Sequence, residues 1–119
     1  MTDDKRKLLK EAIEHYGKDN QVVKAYEEVG EFLQAMCKFT LDTEKHRKRN
    51  DVFTDGVPTY VCGLCEHREN YRHLQEEIAD CIIMFEQMRL IFDPHEIDWW
   101  INFKLERLES RMEKEKKSV

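Results

Sequence analysis

Two pairs of carboxylates set in apolar helical sequence constrain this chain most. Glu28 and Glu31 lie in QVVKAYEEVGEFLQAM, and Glu77 and Asp80 lie in HLQEEIADCIIMFEQMRLIF. A spacing of three residues puts both carboxylates of a pair on one face of a helix. If the two helices pack together, four like charges approach closely, which is unfavourable unless a cation lies between them. Carboxylate oxygens suit Mg²⁺ or Mn²⁺. The sequence therefore predicts a divalent metal site between two helices.

Composition bounds the kind of protein this chain can be. Its 119 residues suit a single domain over 1–119, and a charged fraction of 38% with only four Gly and two Pro favours helices. The net charge of −5 argues against a nucleic-acid partner. No apolar run is long enough for a membrane helix, and the charged start MTDDKRKLLKEAI lacks a secretory core. We therefore expect a cytoplasmic protein with no membrane partner.

The apolar periodicity predicts an all-α fold of four helices. They cover about 3–16, 19–41, 69–92 and a stretch that starts at Pro94. Gly17 is the expected end of the first helix, and Asp19 or Asn20 is the expected N-cap of the second. Asp93 and Pro94 are typical of a sharp helix start. Residues 42–68 lack an apolar stripe, so they are predicted to form a long loop within a four-helix bundle.

The buried faces of the two central helices follow from the same periodicity. On the second helix the predicted apolar face consists of Val22, Tyr26, Val29, Leu33 and Met36. Glu28 and Glu31 border that face, and Glu27 lies farther out. On the third helix Glu77 and Asp80 share a stripe with Met84. A carboxylate on such a stripe needs compensation, and the alternative to a metal is a salt bridge to a Lys or Arg of another helix.

The two helical segments together carry a family resemblance. AYEEVGEFLQAMCK followed by LQEEIADCIIMFEQMRLIF resembles the MazG-like all-α nucleoside triphosphate pyrophosphatase superfamily, which includes the dimeric all-α dUTPases. The shared pattern is an ExxE helix, a variable spacer and an ExxD helix, and it runs from about Gln21 to Arg111. The spacer here is longer than in the shortest members and carries cysteines, which leaves the substrate open.

The resemblance implies a reaction, a cofactor and an assembly. It implies hydrolysis of a nucleoside triphosphate to the monophosphate and pyrophosphate. It implies Mg²⁺ held by four carboxylates, which by position are Glu28, Glu31, Glu77 and Asp80. It also implies a homo-oligomer, either a dimer or a tetramer.

Further residues are candidates for parts of that reaction. No Ser/His/Asp or Cys/His arrangement is evident, so water is the expected nucleophile, with Glu27 or Glu31 as its general base. Lys38, Lys104 and Arg107 are candidates for phosphate contacts, although a solvated surface position is the more common place for each. The chain has no GxxxxGK[ST] motif, which excludes a P-loop.

The run YVCGLCEH resembles a zinc knuckle. Cys62 and Cys65 present two thiolates to one metal, and His67 is a possible third ligand of a tetrahedral Zn²⁺ site. His46, His73 or a second subunit could supply the fourth ligand. A redox pair and two free thiols are the alternatives. The remaining cysteines, Cys37 and Cys81, are predicted to be small core residues.

Two other classes of protein compete with the pyrophosphohydrolase. A di-iron or di-manganese redox bundle would use Glu-x-x-His pairs, and this chain has none. A non-enzymatic helical adaptor stapled by zinc would have its carboxylates in salt bridges and would hydrolyse nothing.

Overall fold

The fold was analysed in a computed structural model that describes residues 1–48 and 66–118. Four α-helices make up the described chain: α1 (Asp3–Tyr16), α2 (Lys18–Lys48), α3 (Glu66–Ile91) and α4 (Pro94–Lys117). The predicted all-α class is therefore confirmed for these residues. None of the four helices has an apolar stretch of the length and purity that a membrane crossing requires.

The ends of α1 and the start of α4 follow from local sequence. The Thr2 hydroxyl caps α1 by accepting a hydrogen bond from the Lys5 N–H at 3.4 Å. Gly17 ends α1 with a φ of 92°, a left-handed conformation that glycine adopts without strain. The carboxylate of Asp93 caps α4 by accepting from the His95 N–H at 3.0 Å and the Glu96 N–H at 3.1 Å. The start predicted at Asp93 and Pro94 is confirmed.

The predicted N-cap of α2 and the predicted limits of the loop are wrong. Asn20 lies inside α2 and donates its side-chain amide to the Tyr16 carbonyl at 2.8 Å, so it completes the end of α1 instead. Residues 42–48 belong to α2 and residues 66–68 to α3. Contacts between the helices explain the extension, because Asn70 donates to Asp42 at 3.5 Å and the rings of Phe39 and Tyr71 lie 5.7 Å apart.

The core of the fold is the pairing of α2 with α3. Their buried residues are separated by one or two helical turns, as a helix face requires. On α2 they are Gln21, Ala25, Glu28, Ala35 and Thr43, and on α3 they are Leu74, Glu77, Cys81, Met84 and Gln87. The Cys81 thiol donates to the Glu28 carbonyl at 3.5 Å, which shows how closely the two backbones approach.

The predicted apolar face of α2 is wrong in part, because Val22 and Val29 are half-buried but the other three residues are exposed. Tyr26 is 74% exposed and Leu33 is 57% exposed, while Ala25 and Ala35 face α3. Cys37 is also exposed, contrary to its predicted place in the core, whereas Cys81 is buried as predicted. The small side chains of the two alanines allow the close approach of α3, and that approach selects this face over the bulkier one.

The two outer helices differ in how they attach to this pair. α1 packs on both α2 and α3, with Leu9 buried in the contact. α4 contacts only α3 among the described helices and contains no buried residue. A hydrogen-bonded ion pair between Arg89 and Asp98, at 2.6 Å, holds its first turns to α3. Within one chain, α4 therefore does not close a four-helix bundle.

Candidate metal centre

Three carboxylates from two helices converge in the α2–α3 contact. One oxygen each from Glu28, Glu31 and Glu77 lies within 4.8 Å of the other two. The side chains of Glu28 and Glu77 are only 10% and 8% exposed, whereas Glu31 is exposed. The cluster thus has a buried side and an open side, so an ion held there could also reach a ligand from solvent.

The placement of these carboxylates follows from the helix pairing. Glu28 occupies the face of α2 that packs on α3, and Glu31 follows one turn later at the edge of that face. Glu77 lies on the buried stripe of α3, between Leu74 and Cys81. The hydrogen bond from Cys81 to the Glu28 carbonyl fixes the register that brings Glu77 opposite Glu28.

Each buried carboxylate has one oxygen with a partner and one without. Glu28 Oε1 lies 3.2 Å from Lys24 Nζ, and Glu77 Oε1 lies 3.7 Å from His73 Nε2. The Oε2 atoms of both residues are buried and have no hydrogen-bond partner in the part of the chain that the structure describes. Unsatisfied buried oxygens of this kind are costly and uncommon. A divalent cation between Glu28 and Glu77 would satisfy both.

The electrostatics of the cluster also favour a bound cation. Burial raises the pKa of Glu77, and the negative charge of Glu31 raises it further, against a smaller opposing effect of His73. Burial, followed by the charge of Glu28, also raises the pKa of the Cys81 thiol, which favours its role as a hydrogen-bond donor. Each carboxylate thus makes the ionised form of its neighbours less favourable. A bound cation would make the ionised forms favourable again.

Asp80, the fourth predicted ligand, is not part of the three-carboxylate cluster. It is half-buried, one helical turn beyond Glu77. Its charge nevertheless contributes to the raised pKa of both Glu77 and Cys81. The structure therefore brings together three of the four predicted metal ligands and leaves Asp80 beside them.

No model of a known protein family matches this chain. Searches of curated proteins and of solved structures returned no match either.

The predicted alternative to a metal was a salt bridge from another helix. Across residues 1–48 and 66–118, neither Glu28 nor Glu77 pairs with a Lys or Arg of a neighbouring helix. Their partners, Lys24 and His73, each lie four residues earlier on the same helix, and each is about half exposed. The cation that compensates Glu28 is therefore a half-exposed side chain of the same helix rather than a buried one.

The predicted catalytic and phosphate-binding residues are spread over the surface. Glu27 is 60% exposed and lies 3.8 Å from Lys24 Nζ. Lys38 is exposed and lines a cavity of about 360 Å³ with Lys45 and Asn70. Lys104 and Arg107 are exposed on α4, where the Arg107 guanidinium lies 5.8 Å from the centre of the Phe103 ring. Among the described helices α4 packs only against α3, so the described part of the chain does not bring these two residues to Glu28 and Glu31.

The predicted zinc knuckle cannot be placed. Cys62 and Cys65 lie outside the described residues, as do the side chains of His46 and His67. His73, a candidate for the fourth zinc ligand, lies on α3 beside Glu77 and 4.0 Å from Glu76.

Sequence reasoning missed three polar residues, namely Lys24 beside the cluster and two buried glutamines farther along the same two helices. Lys24 precedes Glu28 by four residues, a spacing at which ion pairs form on helices, so it could have been found. Gln87 extends the buried stripe of α3 by one turn beyond Met84, and the helical period points to it. Gln21 could not be found in this way, because the face of α2 on which it lies was assigned incorrectly.

Proposed function

We propose that this chain is a Mg²⁺- or Mn²⁺-dependent nucleoside triphosphate pyrophosphohydrolase, which converts a nucleoside triphosphate and water to the monophosphate and pyrophosphate. One observation carries the proposal. Two nine-tenths-buried carboxylates on packed helices, Glu28 and Glu77, each keep an oxygen without a partner, within reach of the exposed Glu31. The motif resemblance specifies the reaction that such a centre would perform.

Glu28, Glu31 and Glu77 would hold the metal, and Asp80, one helical turn beyond Glu77, is kept as the fourth proposed ligand. The bound ion would supply charge neutralisation on the phosphate oxygens and a lowered pKa for a coordinated water. Glu31 is the member of the cluster that solvent reaches, so it is the better placed of the two candidate general bases. Glu27 is 60% exposed, pairs with Lys24 and is not part of the three-carboxylate cluster.

Lys24, which was not among the residues predicted from sequence, is a further candidate for contact with a phosphate group. Its ammonium group lies 3.2 Å from Glu28 Oε1, where it partly compensates the buried charge. A cation bound by Glu28 would repel Lys24 and release it toward solvent. A released lysine on this rim would be free to contact a phosphate group, as would Lys38, which lies about two turns beyond Glu31 on α2.

The exposed apolar surface supports a homo-oligomer, which we propose to be a dimer or a tetramer. α4 exposes seven large apolar side chains: Trp99, Trp100, Ile101, Phe103, Leu105, Leu108 and Met112. Five further large apolar residues are exposed on α2, namely Val23, Tyr26, Leu33, Met36 and Leu41. Apolar patches of this extent usually mark interfaces. A second copy that covered α4 would also offer a route by which Lys104 and Arg107 could reach a neighbouring carboxylate cluster.

A structural zinc ion held by Cys62, Cys65 and His67 remains part of the proposal. Protein prepared without chelators should then carry zinc in a fixed ratio to chain, and Cys62→Ser should lower the melting temperature. Metal analysis that found no zinc would remove this element and would leave the carboxylate centre untouched.

The reaction is tested with purified protein, Mg²⁺ and a panel of ribo- and deoxynucleoside triphosphates. We expect pyrophosphate rather than orthophosphate, and a loss of activity in Glu28→Gln that Glu106→Gln, on the exposed surface of α4, does not share. Release of orthophosphate alone, or of nothing with any nucleotide, would contradict the proposal. The second outcome would favour the helical adaptor.

A further inference from the structure

A cavity of about 680 Å³ lies where α1, α2 and α3 meet. Its volume is within the range of small-molecule sites in proteins. Apolar side chains of Ala12, Val23 and Met84 line part of it, and Gln21 and Gln87 supply amide groups. A largely apolar wall with a few amides is the usual composition of a site that orients an uncharged ring.

Gln87 is the residue in this wall to which a ligand could supply a missing hydrogen-bond partner. It is 4% exposed, and its side-chain oxygen has no hydrogen-bond partner in the described part of the chain. The terminal torsion of glutamine is broad, so the amide can turn at low cost to meet a bound group. Apart from Gln87, the buried side-chain atoms without partners in the described chain are the Oε2 atoms of Glu28 and Glu77.

The cavity adjoins the carboxylate cluster. Lys24 and Glu27 line the cavity, and Lys24 Nζ also lies 3.2 Å from Glu28 Oε1. One wall of the cavity is therefore in direct contact with a proposed metal ligand. A molecule that extended from Gln87 to Lys24 would bring its far end to the carboxylates.

We propose that this cavity binds the nucleobase of the substrate and that Gln87 recognises the base by hydrogen bonding. The inference rests on the proposed function and specifies which part of the molecule recognises the nucleoside. A base offers a flat apolar ring to Met84 and Val23, and an N–H donor to the Gln87 oxygen. Its phosphates extend past Lys24 toward Glu28.

The chemistry of the wall favours a nucleobase over a hydrocarbon chain. An alkyl chain would fill the apolar part and leave the Gln87 oxygen without a partner, at the cost of a lost hydrogen bond. A base pairs with an amide through adjacent donor and acceptor groups, the arrangement by which glutamine recognises adenine in nucleic acids. Lys24 adds the positive charge that a nucleotide requires and a lipid tail does not.

The inference is tested by titrating the parent and Gln87→Met with dAMP, dCMP, dGMP and dTMP in the presence of Mg²⁺. Binding is followed by the NMR signal of the Met84 methyl group on the cavity wall. Deoxyribose 5-phosphate, which has no base, is the control ligand, and Gln75→Met, exposed on the same helix, is the control variant. We expect the preferred nucleotide to bind about tenfold more weakly to Gln87→Met, the value of one lost hydrogen bond. Deoxyribose 5-phosphate should bind both proteins equally, and Gln75→Met should behave like the parent.

A second variant covers the case in which Gln87→Met does not fold. Val23 is 53% exposed, so Val23→Trp should fold while its indole fills the cavity. This variant should bind all four nucleotides more weakly than the parent does and should bind deoxyribose 5-phosphate with unchanged affinity. Nucleotide affinities unchanged in both variants, or no nucleotide binding to the parent, would overturn the inference. Nucleotide binding that these variants weaken, in a protein that releases no pyrophosphate, would instead refute the proposed reaction and retain the nucleobase site.

Discussion

At the scale of single residues, the fold holds Glu77 in an environment that disfavours its charge. Its side chain is 8% exposed, and one of its oxygens has no partner in the described chain. Burial and the nearby Glu31 raise its pKa. A residue with these properties is suited to bind a cation and otherwise destabilises the folded protein.

The raised pKa of Glu77 predicts how stability depends on pH without metal. Above its unfolded value of about 4.5 the folded state holds the proton more tightly than the unfolded state, so the free energy of unfolding falls as pH rises toward the folded pKa. Glu77→Gln lacks this penalty. In urea denaturation with EDTA between pH 4 and pH 8, the free energy of unfolding of Glu77→Gln should increase relative to that of the parent as pH rises. A difference that stays constant across this range would contradict the raised pKa.

At the scale of helices, the sequence predicted the elements better than it predicted their orientation. The spacing of Glu28, Glu31 and Glu77 was enough to predict that they converge, because their helices pack. The face of α2 was not predictable, since Tyr26 and Leu33 form as good an apolar stripe as Ala25 and Ala35. Only the partner helix decides between the two, through the close approach that small side chains allow. The ends of α2 and α3 were missed for the same reason, because contacts between the helices extend them.

The orientation of α2 predicts opposite outcomes for two neighbouring substitutions. Ala35 is 2% exposed against α3, so Ala35→Leu should lower the free energy of unfolding by about 1–3 kcal/mol through overpacking. Gln34→Leu, which adds an apolar side chain at the adjacent exposed position, should change it by less than about 0.5 kcal/mol. Chemical denaturation measures both. A large effect at Gln34 with none at Ala35 would show that α2 packs through a different face.

At the scale of the whole molecule, the single chain is too extended for its length. Its radius of gyration is 18.8 Å, whereas a compact domain of this size has about 13.5 Å. Among the described helices α4 contacts only α3, and it contains no buried residue. Its exposed residues Ile101, Leu105, Leu108 and Met112 form an apolar stripe at helical spacing. A second copy that packed on this stripe would cover it.

We expect a single charged substitution on the apolar stripe of α4 to weaken the proposed oligomer. Leu105 is 57% exposed on the stripe of α4, so Leu105→Glu should not disturb the isolated chain but should weaken the oligomer. Ser110→Glu adds the same charge on the opposite side of the helix. Light scattering after gel filtration should give an oligomer for the parent and for Ser110→Glu, and a smaller species for Leu105→Glu. A parent that is monomeric at micromolar concentration would contradict the proposed assembly.

The most direct measurement of the metal centre is the melting temperature of the parent and of Glu77→Gln, each with and without Mg²⁺. The parent should be stabilised by the metal, by about 2.7 kcal/mol at 100 times the dissociation constant. Glu77→Gln should melt no lower than the parent without metal, because it loses an uncompensated charge, and it should show little response to Mg²⁺. A variant that melts far below the metal-free parent and responds to Mg²⁺ as the parent does would contradict the assignment of Glu77 as a metal ligand.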